Sequence, residues 1–175
     1  MSDNNKDISE FFREVPPFLK VFNITNAYPT DDDQFIVEFS PGEELTHSNG
    51  MVVQGGFVTG MLDCCMAQFL IYKAKGKQIP LTLDIDVKFL RPCAPGPLKT
   101  VANITKEGRS ICFTEAALYQ NDKLIAKLTK PYKIGVHNQE GWQSLVYCNG
   151  LEKPLTTYQS LTNPKIGRAS CRERV

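Results

Sequence analysis

Histidine is nearly missing from this chain. His47 and His137 are the only two in 175 residues, and they share no metal-ligand spacing with each other or with a cysteine, so a zinc or iron centre is not expected. No Gly-x-Ser-x-Gly elbow, phosphate-binding loop or dinucleotide fingerprint occurs either, which sets aside three large enzyme classes. Neither sign of charge dominates, with 20 Lys and Arg against 19 Asp and Glu. Residues 166 to 175 lack apolar periodicity and read as a tail translated from a sequencing adapter. Without its three Arg and one Glu the formal charge moves from +1 to −1, leaving no basic balance to attract nucleic acid. Five cysteines remain outside that tail, Cys64, Cys65, Cys93, Cys112 and Cys148, an odd number without Cys-x-x-Cys spacing. With no signal peptide, and with Asp3, Asp7 and Glu10 where a mitochondrial presequence would be basic, the expectation is a soluble cytoplasmic protein in a reducing compartment.

What the chain does contain is one long apolar run, residues 53 to 72. Phe57, Val58, Met61, Leu62, Met66, Phe69, Leu70 and Ile71 leave it no wide polar face, which predicts a helix buried nearly all round. It is short for a membrane span, holds Asp63 and Gln68, and starts on two glycines. Ahead of it, residues 9 to 15 read as a short capped helix stopped by Pro16-Pro17. Residues 18 to 25 fit a helical turn or a short strand equally. Asp31, Asp32 and Asp33 read as a solvated turn, residues 34 to 40 alternate as a strand, and residues 41 to 51 form a loop. After a break at Gly76-Lys77-Gln78, four strands are predicted at 81 to 90, 98 to 106, 109 to 119 and 123 to 134. The first carries Leu83, Ile85, Val87 and Phe89 on one face. Their short turns point to an antiparallel meander, and the helix is the one long apolar element able to cover it. Residues 137 to 165 have weak periodicity, with Trp142, Leu145, Val146 and Tyr147 as a candidate extra turn of helix.

Chemistry concentrates on that helix. Asp63 is its single charged residue, and no Lys or Arg lies three or four positions away, so a partner must come from another element or another chain. It is either a structural acid hydrogen-bonded to the sheet or a catalytic one. Gly55-Gly56 places bare backbone at the helix start, where unpaired amides attract a carbonyl or oxyanion; the same pair also fits a tight turn with positive φ or close packing. Eight residues put Gly55 and Asp63 roughly 12 Å apart along the axis. If the two act on one carbonyl, they must come from different chains. Cys64 and Cys65 adjoin Asp63 but read as inert packing.

The run Asn49-Gly-Met-Val-Val-Gln54-Gly-Gly-(x6)-Asp63, followed by Thr82-Leu83-Asp84 and then Phe89-Leu90-Arg91-Pro92, resembles the hotdog-fold acyl-CoA thioesterases of the phenylacetic-acid-degradation (PaaI-like) type. The resemblance covers residues 35 to 134. It implies an α+β hotdog fold in which a long central helix is wrapped by a curved antiparallel sheet. The corresponding division is an N-terminal extension with a short helix (1 to 33), the hotdog domain (34 to 136), a C-terminal extension (137 to 165) and the tail. It further implies two sites at a homodimer interface, within a dimer or tetramer, that hydrolyse acyl- or aryl-acyl-CoA without metal or redox cofactor.

By the same resemblance, the Gly55 amide donates to the thioester oxygen and Asp63 of the partner chain is general base or nucleophile. Thr82 helps to position the water, and Asn49 and Gln54 orient the substrate. Gly56 also lies against the substrate, while Arg91, Lys106 and Arg109, at strand ends, are candidates for the CoA phosphates. The chain departs from the family pattern twice. Gln54 stands where relatives commonly have His and can only exchange hydrogen bonds. Ser48, rather than Asn49, occupies the usual place of the loop asparagine. Two other readings stay open: an acyl-thioester dehydratase or hydratase, disfavoured by the lack of a His near Gln54, and a non-catalytic acyl-CoA or fatty-acyl binding protein.

Overall fold

The structure, a computed structural model, describes residues 17–136. The helix expected at 9 to 15, the turn around Trp142 and the tail lie outside the described residues. Pro17 opens a helix, α1 (Pro17–Val21); its fixed φ and missing N–H suit the first helical position. The segment that fitted helix or strand supplies both, since β1 (Ile24–Pro29) follows at once. The sheet therefore begins ahead of residue 34. β2 (Phe35–Phe39) pairs with β1 across the solvated aspartate turn, where Asp33 meets Lys73 at 2.7 Å. A 3₁₀ turn (Glu43–Leu45) and a two-residue hairpin, β3 (Thr46–His47) with β4 (Val52–Val53), occupy the expected loop.

The central helix α2 runs Gly55–Lys73. Its 19 residues have the length and hydropathy to cross a bilayer, yet Val58, Met61, Leu62, Cys64, Cys65, Met66, Phe69 and Leu70 are buried in the protein core. It stops where the sequence breaks: Gly76 takes φ +73° and its amide donates to the Ile71 carbonyl at 2.9 Å, closing the last turn. Beyond it lie β5 (Gln78–Thr82), β6 (Asp86–Phe89), β7 (Leu98–Glu107), β8 (Ile111–Gln120) and β9 (Lys123–Val136). Among the described residues these strands join β1 and β2 in one antiparallel sheet of order β1-β2-β7-β8-β9-β5, with β6 also on β9. α2 packs on the inner face of this sheet, and Phe35, lying parallel to Phe69 with centroids 5.7 Å apart, ties β2 to the helix.

Two expectations for residues 81 to 90 need correction. The single predicted strand is two, because β5 pairs Thr82 with Tyr132 whereas β6 pairs Asp86 with Thr129, leaving one extra residue on that edge. The cause is Pro131. Its carbonyl accepts from the Leu83 amide at 3.2 Å, so its missing N–H faces the same side and the ladder loses a bond there. The shared face of Leu83, Ile85, Val87 and Phe89 is also not a core face: Leu83, Ile85 and Phe89 are 51%, 42% and 52% exposed, and Val87 alone packs against the core.

Candidate functional site

Alternation along β9 turns Leu128, Lys130 and Tyr132 to the inner face, beneath α2, and all three are buried. A lysine at such a position needs a countercharge. Asp63 supplies it. Lys130 Nζ forms an ion pair with Asp63 Oδ1 and donates to Thr82 Oγ1 at 2.8 Å. Tyr132 OH donates to the same Asp63 Oδ1 at 2.7 Å and lies 3.1 Å from the Asp63 carbonyl oxygen. The ammonium also sits 4.2 Å from the Tyr132 ring centroid. The Lys130 side chain has no exposure, whereas that of Asp63 keeps 36%. One face of the carboxylate is thus held from inside the sheet, and among the described residues no hydrogen bond reaches Oδ2.

The surroundings perturb the neighbouring groups in directions that burial explains. Lys130 gives up its proton more readily than an ordinary lysine, because desolvation outweighs the support of Asp63. Tyr132 holds its proton far more firmly than usual, first from burial and then from the adjacent carboxylate. Burial, aided by Asp63, pushes the Cys64 thiol up to about 12, and Cys65 is also raised well above its ordinary value, mainly by burial. Cys64, Cys65, Cys93 and Cys112 are all buried free thiols, and with thiolates this disfavoured the pair beside Asp63 is packing.

The helix start is built separately. Gln54 is the residue before the first turn, and its Oε1 accepts from the Gly56 amide at 2.6 Å and the Phe57 amide at 3.3 Å. Its side chain therefore serves the helix, and Gly56 donates to it. The Gly55 amide, first of the helix, lies outside that cap. Neither glycine has positive φ, so close approach accounts for them: a Cβ at Gly55 would stand 3.2 Å from the Phe89 ring, and one at Gly56 2.7 Å from Gln54 Oε1. Asn49 is exposed at the tip of the β3–β4 hairpin with φ +58°, beside Ser48 at +56°; His47 Nδ1 lies 2.6 Å from Ser48 Oγ.

Asp63 and Thr82 are thus brought together, while Gly55, Gly56 and Gln54 gather about 12 Å away at the helix start. The three basic candidates do not converge within one chain. Arg91 donates to the Leu124 carbonyl at 2.7 Å near the β8–β9 turn. Arg109 lines a cleft of about 460 Å³ with Lys73, Lys77 and Glu107 at the β7–β8 end, and Lys106 lies in the same region of β7. A ten-residue strand, on the order of 30 Å, separates these ends. Sequence reading missed Lys130 and Tyr132, although the inward alternation of Leu128, Lys130 and Tyr132 was the signal that could find them. Among the described residues no cluster of three His, Cys, Asp or Glu is arranged to hold a metal.

Comparison with known proteins follows the same outline. Residues 44–130 match the family model described as the acyl-CoA thioesterase N-terminal domain. A protein of Thermoplasma volcanium that carries an esterase name is 26% identical over 78 residues, 44% of this chain, and the match spans only 57% of that relative. Among solved structures, a phenylacetic acid degradation-related protein of Ralstonia eutropha JMP134 superposes with TM-score 0.64 at 24% identity, covering 72% of this chain and 98% of the other. The E. coli PaaI protein from the phenylacetic acid degradation operon does so with TM-score 0.62 at 17% identity, covering 73% and 91%. With a central helix in an antiparallel sheet and a matching domain from residue 44 to Lys130, the chain is a hotdog-fold member of the thioesterase superfamily.

Proposed function

We propose that the protein is an acyl-CoA thioesterase, with Asp63 activating the water that cleaves the thioester. The observation that carries this reading is the asymmetry of the Asp63 carboxylate, anchored through Oδ1 by Lys130 and Tyr132 while its side chain keeps 36% exposure and, among the described residues, no hydrogen bond reaches Oδ2. In the reaction, Asp63 removes a proton as water adds to the thioester carbonyl, or attacks that carbon directly to give a mixed anhydride that water then hydrolyses. The Gly55 amide stabilises the oxyanion, the C–S bond breaks, and CoA leaves as the thiol once the proton is returned. The free acid is the second product. No metal or redox cofactor takes part.

Because Gly55 and Asp63 are about 12 Å apart on one helix, each site combines Gly55 of one chain with Asp63 of another. The β5/β6 edge supports such an assembly. Leu83, Ile85, Phe89 and Leu90 are 51%, 42%, 52% and 52% exposed along it, a row of apolar side chains that a second copy would cover, and Phe89 already lies against Gly55. Arg91 at one end of the sheet and Lys106 and Arg109 at the other would meet CoA phosphates from different protomers. The protein would work in the cytoplasm as a dimer or tetramer, on neither nucleic acid nor membrane.

A second reading, a non-catalytic acyl-CoA binding protein, has one observation in its favour: an acid paired with a buried lysine is also how a purely structural ion pair looks. A dehydratase or hydratase fits less well, since Gln54 is occupied as a cap. Free-thiol release from a panel of aryl- and fatty-acyl-CoAs decides. Asp63→Asn, shown by circular dichroism to be folded, is expected to lower release by about 100-fold or more. Turnover equal to wild type in that variant, or none in wild type on any substrate, overturns the thioesterase reading.

A further inference from the structure

Lys130 does more at this site than neutralise a charge. Its ammonium contacts two groups at once, Asp63 Oδ1 and Thr82 Oγ1, and both are therefore within two hydrogen-bond lengths of each other, about 6 Å. An ammonium only donates. It follows that Thr82 must accept from it, and the Thr82 hydroxyl hydrogen has to turn elsewhere. Thr82 is the last residue of β5, on the exposed side of the pair, so its own donor is left for the solvent side. The carboxylate, in turn, only accepts. A water between Thr82 and Asp63 Oδ2 would accept from the hydroxyl and donate to the carboxylate, keeping one lone pair for a carbonyl carbon. With no cation beneath it the hydroxyl is free to accept from the water instead of donating to it, and that polarity would be lost. Burying an ammonium here is costly where an apolar side chain of similar length would not be, which sets Lys130 apart from ordinary core packing.

We propose that Lys130 is a positioning residue for hydrolysis, fixing Asp63 through Oδ1 and forcing Thr82 to act as a hydrogen-bond donor to the attacking water. The proposal rests on the thioesterase reading above. It is tested by steady-state thiol release with Lys130→Met, Thr82→Val, Thr82→Ser and the Lys130→Met/Thr82→Val double variant, beside Asp63→Asn. Lys130→Met is expected to lower kcat at least about 10-fold with KM within about 2-fold. Thr82→Val should lower kcat while Thr82→Ser, which keeps the hydroxyl, retains it. In the double variant the loss should be no greater than in Lys130→Met alone, because the two residues act as one unit. Wild-type kcat in Lys130→Met, or losses that multiply in the double variant, overturn the proposal. Should Lys130→Met not fold, the exposed Thr82 pair still decides, since equal kcat for Thr82→Val and wild type is incompatible with a required donor. An active wild type with an impaired Asp63→Asn but a fully active Lys130→Met removes this inference and leaves the thioesterase reading standing; a wild type without turnover removes both.

Discussion

Tyr132 shows how much one buried hydroxyl determines around Asp63. In the folded chain its phenol stays protonated well beyond its ordinary value of 10.0, mainly because a phenolate would be buried and would also face the carboxylate. Above pH 10.0 the unfolded chain therefore releases this proton first, and the stability linked to Tyr132 is lost as pH rises. Lys130 has the opposite sign: its folded value lies below the ordinary 10.5, so approach to 10.5 from below removes a penalty. Comparing wild type with Tyr132→Phe isolates the tyrosine. The variant is expected to be less stable at pH 7 by about 1–2 kcal/mol for the lost bond to Asp63, yet to lose stability less steeply between pH 10 and 11. Urea denaturation at these pH values is the measurement, and parallel slopes would show that Tyr132 is not the titrating group.

At the scale of elements, α2 depends on how it starts. Its first turn has no acidic side chain, and its cap is an exposed glutamine rather than the Ser, Thr, Asp or Asn that usually fills this place. The chain enters the cap along a fixed path, with Val53 donating to the Cys93 carbonyl and Gln54 to the Leu45 carbonyl, both at 2.9 Å. Gln54→Ala frees the amides of Gly56 and Phe57 and should lower stability by about 1 kcal/mol, read by denaturant titration. Since Gln54 serves the helix and cannot act as a base, thiol release by the folded variant should stay within about 3-fold of wild type. The β5/β6 break works at this same scale. Pro131 interrupts one ladder, and where β5 ends Thr82 reaches Lys130 while Leu83 beside it is exposed.

For the whole molecule, the question is whether α2 serves one site or links two. A mixture of Asp63→Asn with Gly55→Leu, each inactive alone, is the direct test. A leucine at Gly55 would press on Phe89, whose ring already lies 3.2 Å from the Cβ position, and would block the first helical amide. Shared sites predict that hetero-oligomers recover up to about half of the activity per site pair, because one intact Gly55 then meets one intact Asp63. Absence of recovery in hetero-oligomers verified by mass spectrometry would place both groups in a single chain.

Local pattern determined a good deal by itself. Twenty residues without a polar face could only be a buried helix, alternation required strands at 34 to 40 and from 98 onward, and Gly76 marked the helix end because few other residues accept its φ. Asp63 stood out for the same reason, as a charge with no neighbour on its own helix to compensate it. Its actual partners were beyond local reach. Lys130 and Tyr132 lie 67 and 69 residues away, and only the pairing of β9 with β5 beneath α2 brings them to one carboxylate. The role of Gln54 likewise depended on a backbone direction that composition does not encode. The exposed row from Leu83 to Leu90 alternates as a core strand does, and only the register break between β5 and β6 on β9, set by tertiary pairing, shows that it is not one continuous core strand.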